Sequence, residues 1–564
     1  MITQWHRGFA LLAVASLFIG TRTLWTEALP SRPMLALVIT ACYGAILAAA
    51  VLVTTVSSPR VMTILEAAIL GVAVVLVGCL FLLHHKVNDE GALVARAADA
   101  ILHGMPAYGV HWPDIFQDAN VAATKTMDGG AVDIFPYPPL AAILTAVVQV
   151  VVPGYVSASI ASTAALVAGA VVLWLLLPAQ WRSAGTAIML GFGLLTVYAH
   201  RGYPAVIALA LLVPVAVGWT SIGLDGRLGR RDIVRAVCLG AACAAQQLAW
   251  FLVPFLLLGV WSLRRGELPA REVVRFLGGF IGIAAATFIV IDLPFVAGDP
   301  VAWLDGILSP FTQHAVPHGQ GLIGISYYLL DGSARLSFFS YAALLFGLAL
   351  LALSVLFMRR LGPAMLVLPW TVFFLATRSQ DGYYLLMTPL WLASVATVAP
   401  GTFATAWRPR AGWLGRARVR RALVPVLLVP ALACVGVAIA SAPPLQMRVL
   451  DTLVVEGKSG IQEIEVRVSN TGSSVLRPHF AVSRGQSMSS YWRQVAGPDM
   501  LEPGQTADYH LVTVDEGARP SSGGYFKLRA VTDDPVTLSS TTIPGVPSIA
   551  PVAPVAPSTE PPSP

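Results

Sequence analysis

The sequence predicts a polytopic α-helical membrane protein of about 13 apolar segments, followed by a C-terminal extracytoplasmic β-sandwich. Three observations carry that prediction. Of 564 residues, 56% are hydrophobic and 12% charged, where a soluble domain carries about 25% charged. Several continuous apolar runs are longer than the roughly 18 residues that mark a membrane-crossing helix. Beyond about Leu445 the pattern changes to alternation, with Ile464, Val466 and Val468 set between Glu463, Glu465 and Arg467. Such alternation is the period of a half-buried strand. A mean hydropathy of +0.72 excludes a soluble cytosolic enzyme. The runs are continuously apolar, unlike the short alternating segments of a membrane β-barrel.

The candidate spans are 8–26, 34–56, 62–85, 137–153, 157–178, 183–198, 204–223, 236–262, 273–296, 337–358, 363–377, 382–399 and 422–442. The run 236–262 reads as a hairpin of two short helices broken near Trp250–Pro254. Arginines cluster at Arg60, Arg227–Arg235, Arg264–Arg275, Arg359/Arg360 and Arg408–Arg421, and positive charge beside spans stays cytoplasmic. That rule places 86–136, 199–203, 297–336 and 377–383 outside. Counting from the two ends disagrees by one crossing over 137–178, so 137–153 is expected to be re-entrant. Its 17 residues amount to about 25 Å of helix. The net charge of +6 is explained by these arginines, and nucleic-acid binding is not expected. Cys42, Cys79, Cys238, Cys243 and Cys434 all lie in apolar runs without metal-ligand spacing. They read as buried small hydrophobes. The stretch from Gly8 lacks an Ala-x-Ala cleavage site and is expected to stay as an anchor.

Within 86–136, Leu93, Val94, Ala97, Ala98, Ile101 and Leu102 recur at helical spacing, with Gly104 as a stop signal. Asn88 or Asp89 is suited to cap that helix, which is expected to lie along the outer membrane face. Residues 1–444 thus form the multi-span domain and 445–540 an Ig-like β-sandwich with turns at Asn470-Thr-Gly472 and Pro503-Gly504. The Pro/Ala-rich tail 541–564 is expected to be disordered.

Soluble-enzyme motifs are missing. Gly457-Lys458-Ser459 has Thr452 where a phosphate loop needs glycine, and Gly191-x-Gly193 lacks the third glycine of a dinucleotide fingerprint. Polar residues instead gather at the predicted outer rim. Asn88-Asp89-Glu90 follows the third span as a hydrated helix cap or as a general base for a sugar hydroxyl. His200-Arg201-Gly202-Tyr203 reads as an interfacial anchor, or as an Arg201 and His200 grip on a lipid phosphate. Arg378 and Asp381, with Tyr383, sit between two apolar runs. So close to hydrocarbon they mark either a functional site or a mutual ion pair. Gln246, Gln247 and Trp250 line a cavity or make buried inter-helix hydrogen bonds. Phe135-Pro-Tyr137-Pro-Pro-Leu140 suits an extended approach to a helix start. No cofactor is required. A divalent cation is possible, though no residue pattern indicates one and no metal ligand is assigned.

"VNDEGALVARAADAILHGMPAY" (87–108) followed by "FPYPPLAAILTAV" (135–147) resembles the first outer loop of GT-C glycosyltransferases. There an acid follows an early span, and an amphipathic helix leads to a Gly-x-x-x-Tyr stretch, here Gly104–Tyr108, and a Tyr-x-Pro-Leu helix start. "DLPFVAGDPVAWLDGIL" (292–308) resembles an outer loop of actinobacterial polyprenol-phosphate-mannose-dependent mannosyltransferases, the DUF2029-like, family 87 type. The chain departs from that pattern in two extra N-terminal spans, in Gln246-Gln247 where the family often has lysine, and in the added β domain.

The resemblance implies an inverting transfer of mannose, or of arabinose, from a polyprenyl-phosphate donor to an envelope glycan or glycolipid on the outer face of the plasma membrane. It makes Asp89 the first choice of base and Glu90 the second. Arg201, His200 or Arg378 would bind the donor phosphate, and Tyr108, Tyr137, Gln246, Gln247, Trp250, Asp381 and Tyr383 would line the cavity. Tyr491-Trp492 reads as sandwich core or as a glycan-stacking pair. Two alternatives stand beside this reading. One is a non-catalytic scaffold whose β domain binds envelope polymer or a partner. The other is a lipid-linked sugar transporter, which predicts internal repeats that the sequence does not display.

Overall fold

A computed structural model describes residues 3–409, 412–454, 460–514 and 526–543. The chain divides into two compact units. The first comprises Met1–Thr126, Gly130–Gly324 and Ser337–Val437, and the second Met127–Gly129, Ile325–Leu336 and Ala438–Pro564.

The first unit is helical and belongs to a multi-pass membrane protein. Among the described residues, seven helices are long and apolar enough to cross a membrane, or up to nine if each of two bent pairs is one span. The seven are Pro33–Thr55, Pro59–His84, Val156–Leu176, Leu248–Glu267, Ala270–Gly298, Ser337–Ala364 and Ala417–Ala440. The bent pairs are Gln4–Thr21 with Leu24–Ser31, at 46°, and Ala179–Gly191 with Leu194–His200, at 49°. This is fewer than the 13 apolar segments expected, and the differences have physical causes.

The stretches 363–377 and 382–399 do not form continuous helices. The chain restarts at Leu368–Thr371 and Thr388–Thr397, each with a proline in its first turn. Proline suits that position and disfavours helix in the residue before it. The helix within 137–153 is only Leu140–Gln149, about 15 Å long. It is too short to span, and it packs along the amphipathic helix, where Gln149 Nε2 donates to the Ala95 carbonyl at 2.9 Å. Pro204–Ala216 is also short. Its C-terminal carbonyls are closed by Arg235, whose guanidinium donates to the Val217 carbonyl at 2.9 Å and the Gly218 carbonyl at 3.2 Å, as basic groups do at helix ends.

The run 236–262 breaks at Gln246-Gln247, between Arg230–Ala245 and Leu248–Glu267, rather than near Trp250–Pro254. Gln246 is extended, and its side-chain oxygen accepts from the Leu248 N–H, capping the new helix. Pro254 is carried inside that helix, as membrane helices allow.

The second unit is a β domain. One antiparallel sheet contains Leu445–Val454, Ile461–Asn470, Thr506–Val512 and Arg493–Ala496, in that order. Another orders Gly332–Ser333, Thr537–Ile543, Phe526–Thr532, His479–Arg484 and Ser487–Met488. Their inward residues, among them Ile464, Val466, Phe480, Tyr509, Leu511 and Leu528, form one core. Gly332–Ser333 comes from far earlier in the chain and pairs with Leu538 and Ser539. Arg529 holds the adjoining segment. Its guanidinium lies 3.6 Å over the Tyr327 ring and donates to the Tyr327 carbonyl at 2.8 Å and to Ser540 Oγ at 3.0 Å. Trp492 is buried in the core, its indole N–H on Ser489, so it offers no stacking face. Thr537–Ile543 carries the sheet past 540. The tripeptide Gly457-Lys458-Ser459 and the tail from 544 lie outside the described residues.

Candidate active site

The site is built from the start of the amphipathic helix Asp89–Leu102. Asn88 caps it, accepting from the Gly91 N–H at 2.9 Å. The Asn88 N–H donates to the Arg201 carbonyl at 3.1 Å. Helix and turn meet backbone to backbone, because a Cβ on Gly91 would lie 2.3 Å from the Arg201 oxygen and 3.2 Å from Gly202 Cα. This contact sets Glu90 beside the turn that carries Arg201 and Tyr203.

The two adjacent acids have different surroundings. Asp89 is tied down: Oδ2 accepts from Thr124 Oγ1 at 2.6 Å and the Thr124 N–H at 3.1 Å. Its Oδ1 accepts from the Glu90 N–H and from Asn88 Nδ2. Glu90 is half-buried, and the Tyr137 hydroxyl lies within reach of its carboxylate. Burial, and then the Asp89 charge, push its carboxyl up to about 8, against the opposing pull of Tyr137 and Arg378. Such a value suits a group that takes a proton near neutral pH.

Tyr137 is held from behind. Its carbonyl accepts from the Tyr108 hydroxyl at 2.7 Å. The neighbouring Pro136 carbonyl accepts from Gln247 Nε2 at 2.7 Å, and the same nitrogen donates to the Ile307 carbonyl at 2.8 Å. Tyr108 is buried against Phe135 and Phe295. Trp250 donates to the Cys243 carbonyl and stacks on Phe311. Tyr108 and Gln247 therefore brace the segment that carries Tyr137, while Gln246 is engaged with the Leu248 N–H. Burial and the Glu90 charge hold the Tyr137 phenol well above its ordinary value.

The opposite wall comes from Arg378–Leu385. Arg378 lies within electrostatic reach of Glu90 and of Tyr383, whose ring packs 4.8 Å from Phe373. Asp381 does not reserve itself for Arg378. It accepts from the Gly382 N–H at 2.9 Å, with the Tyr198 hydroxyl close by. Tyr198 and Tyr203 meet edge to face at 4.9 Å, and burial, then the Glu90 and Asp89 charges, raise the Tyr203 phenol. Arg201 is exposed and reaches Tyr198 and Tyr203 electrostatically.

Glu90, Tyr137, Arg201, Arg378, Asp381 and Tyr383 thus lie within electrostatic or contact reach of one another or of Tyr198. His200 does not. It is 2% exposed and packed edge-on to Phe81, with Nε2 buried and without a hydrogen-bond partner among the described residues. Tyr198 and Tyr203 belong to the site as well, Tyr203 in the same tetrapeptide as Arg201. His318, which the sequence marks only as part of the outer stretch 297–336, lies within electrostatic reach of Arg378 and Asp381. Among the described residues no group of three or more His, Cys, Asp or Glu could hold a metal ion.

No family model matches the chain, and no curated protein matches it. Among solved structures it is similar to the crystal structure of ArnT from Cupriavidus metallidurans bound to undecaprenyl phosphate. The two are 15% identical, with a TM-score of 0.36, over 66% of this chain and 75% of that one. A likeness that slight carries no argument, and function rests on the residues of the site.

Proposed function

We propose that the chain is a membrane glycosyltransferase, moving a sugar from a polyprenyl-phosphate donor to an envelope glycan or glycolipid with inversion, and that Glu90 is its base. The approach of the Tyr137 hydroxyl to Glu90, with Arg378 in electrostatic reach, is the observation that carries this reading. It joins the two motifs in which the sequence resembles GT-C enzymes, the acid after an early span and the tyrosine before a helix start. Asp89 gives way to Glu90 because its carboxylate is occupied by Thr124, Asn88 and the helix backbone.

In the proposed reaction Glu90 takes the proton of the acceptor hydroxyl as its oxygen attacks the anomeric carbon. The bond from that carbon to the phosphate oxygen breaks on the opposite face. Phosphate is a competent leaving group without protonation, and the guanidiniums of Arg378 and Arg201 offset the charge it gains. No nucleotide takes part, in keeping with the missing nucleotide motifs. Mannose is the favoured sugar and arabinose the second. The arginine clusters support an outer-face site and an extracytoplasmic β domain.

Transfer of radiolabel from polyprenyl-phosphate mannose, with the arabinose donor in parallel, tests this in membranes carrying the parent chain, Glu90→Gln or Asp89→Asn. Loss of transfer in Glu90→Gln at equal expression, with residual transfer in Asp89→Asn, is expected. Full activity in Glu90→Gln overturns the base. No transfer by the parent chain from either donor overturns the enzyme.

A further inference from the structure

The chain crosses itself beside Arg378. His318–Gly319 pairs in parallel with Arg378–Ser379, His318 opposite Arg378. Residues opposite one another in a parallel ladder point their side chains to the same face, so imidazole and guanidinium stand side by side. The register is held by the His318 N–H on the Thr377 carbonyl at 3.2 Å and the Gln320 N–H on the Ser379 carbonyl at 2.8 Å. It also requires glycine at 319, where φ is +120° and a Cβ would stand 2.2 Å from the Ser379 oxygen.

This crossing brings together two nitrogen-rich side chains that are distant in sequence. Arg378 Nε is buried and has no hydrogen-bond partner among the described residues. Burial, then the Arg378 charge, hold the His318 imidazole below its ordinary value, with Asp381 opposing. Two such neighbours repel when both are charged, and an anion between them turns that repulsion into shared attraction. A phosphoryl group fits the pair, because a planar guanidinium takes two of its oxygens and an imidazole N–H a third.

Resting on the function proposed above, we infer that His318 joins Arg378 in binding the phosphoryl group of the lipid donor. The lipid, rather than free phosphate, is the source, because Arg378 also reaches Glu90, the acid proposed to act at the anomeric carbon.

Equilibrium binding of undecaprenyl phosphate to the full chain in nanodiscs tests this, with undecaprenol and inorganic phosphate as parallel ligands. His318→Phe is expected to weaken undecaprenyl phosphate on the order of tenfold, the loss of one charge-assisted hydrogen bond. Undecaprenol binding should not change, and His318→Lys, which keeps N–H donors, should recover most of the affinity. Unchanged undecaprenyl phosphate binding in His318→Phe, with tight binding by the parent chain, overturns the His318 assignment and leaves the donor reading standing. Equal loss of undecaprenol overturns it also, since that marks a structural role. Inorganic phosphate binding as tightly as the lipid overturns the lipid source. No binding of undecaprenyl phosphate by the parent chain overturns both this inference and the proposed donor.

Discussion

Gly91 rests against the carbonyl of Arg201 so closely that a Cβ there would stand 2.3 Å from that oxygen. The atom on the far side of the contact is backbone, which cannot swing away as a flexible side chain would. Gly91→Ala should therefore push the helix start off the Arg201 turn, with the destabilisation of about 1–3 kcal/mol typical of overpacking. Thermal unfolding of the purified protein reads the loss. Sugar transfer should fall with it, because Glu90 precedes the displaced residue.

The pH profile carries a sign that can be worked out. The Glu90 carboxyl is raised from 4.5 to about 8, so the folded protein holds its proton through neutrality and the basic form grows as pH rises. The rate at limiting acceptor should climb about tenfold per pH unit below 8 and level off above it. Tyr137→Phe removes the donor that favours the carboxylate, so the climb should move to higher pH. The same raised value makes folding less favourable as pH increases from 4.5 toward 8, and Glu90→Gln should flatten that dependence in thermal unfolding.

Gln247 supports Tyr137 from a distance. Its side-chain nitrogen satisfies two buried carbonyls, those of Pro136 and Ile307. Gln247→Leu leaves both unpaired, at about 1–3 kcal/mol for each. A lower melting temperature and a reduced turnover are expected, and the Glu90-dependent limb of the pH profile should persist.

Arg529 makes a prediction confined to the β domain. It is buried beneath Tyr327, with Ser483 Oγ at 2.5 Å as a further acceptor. Arg529→Met keeps bulk but strands the Tyr327 carbonyl and two hydroxyls. Limited proteolysis should then cut between Ile325 and Leu336, which the parent chain should resist.

Much of this arrangement was legible in the sequence, for physical reasons. The amphipathic helix showed itself by period and by its Asn88 cap, both local features. Glu90, Tyr137 and Arg378 stood out as polar or proline-flanked residues beside apolar runs. Which of Asp89 and Glu90 stays available was not legible, because the answer lies in Thr124, a loop residue with no periodicity to place it. The break in 236–262 was misplaced for a related reason. Proline is the stronger breaker by propensity, but packing tolerates Pro254, while the Gln246 side chain supplies a cap that propensity does not record. His318 was hidden by a two-residue parallel pairing, which leaves no repeating pattern to read.

The pairing of Gly332–Ser333 with Leu538 and Ser539 also sets an order of events during synthesis. The earlier strand leaves the ribosome on the order of ten seconds or more before its partner exists, at ordinary elongation rates. Until the last strand is made, that edge stays open to pairing with other chains. Shortened chains that stop before Thr537 would keep the edge open permanently, so aggregation of such truncations reports a missing strand and says nothing about the membrane helices.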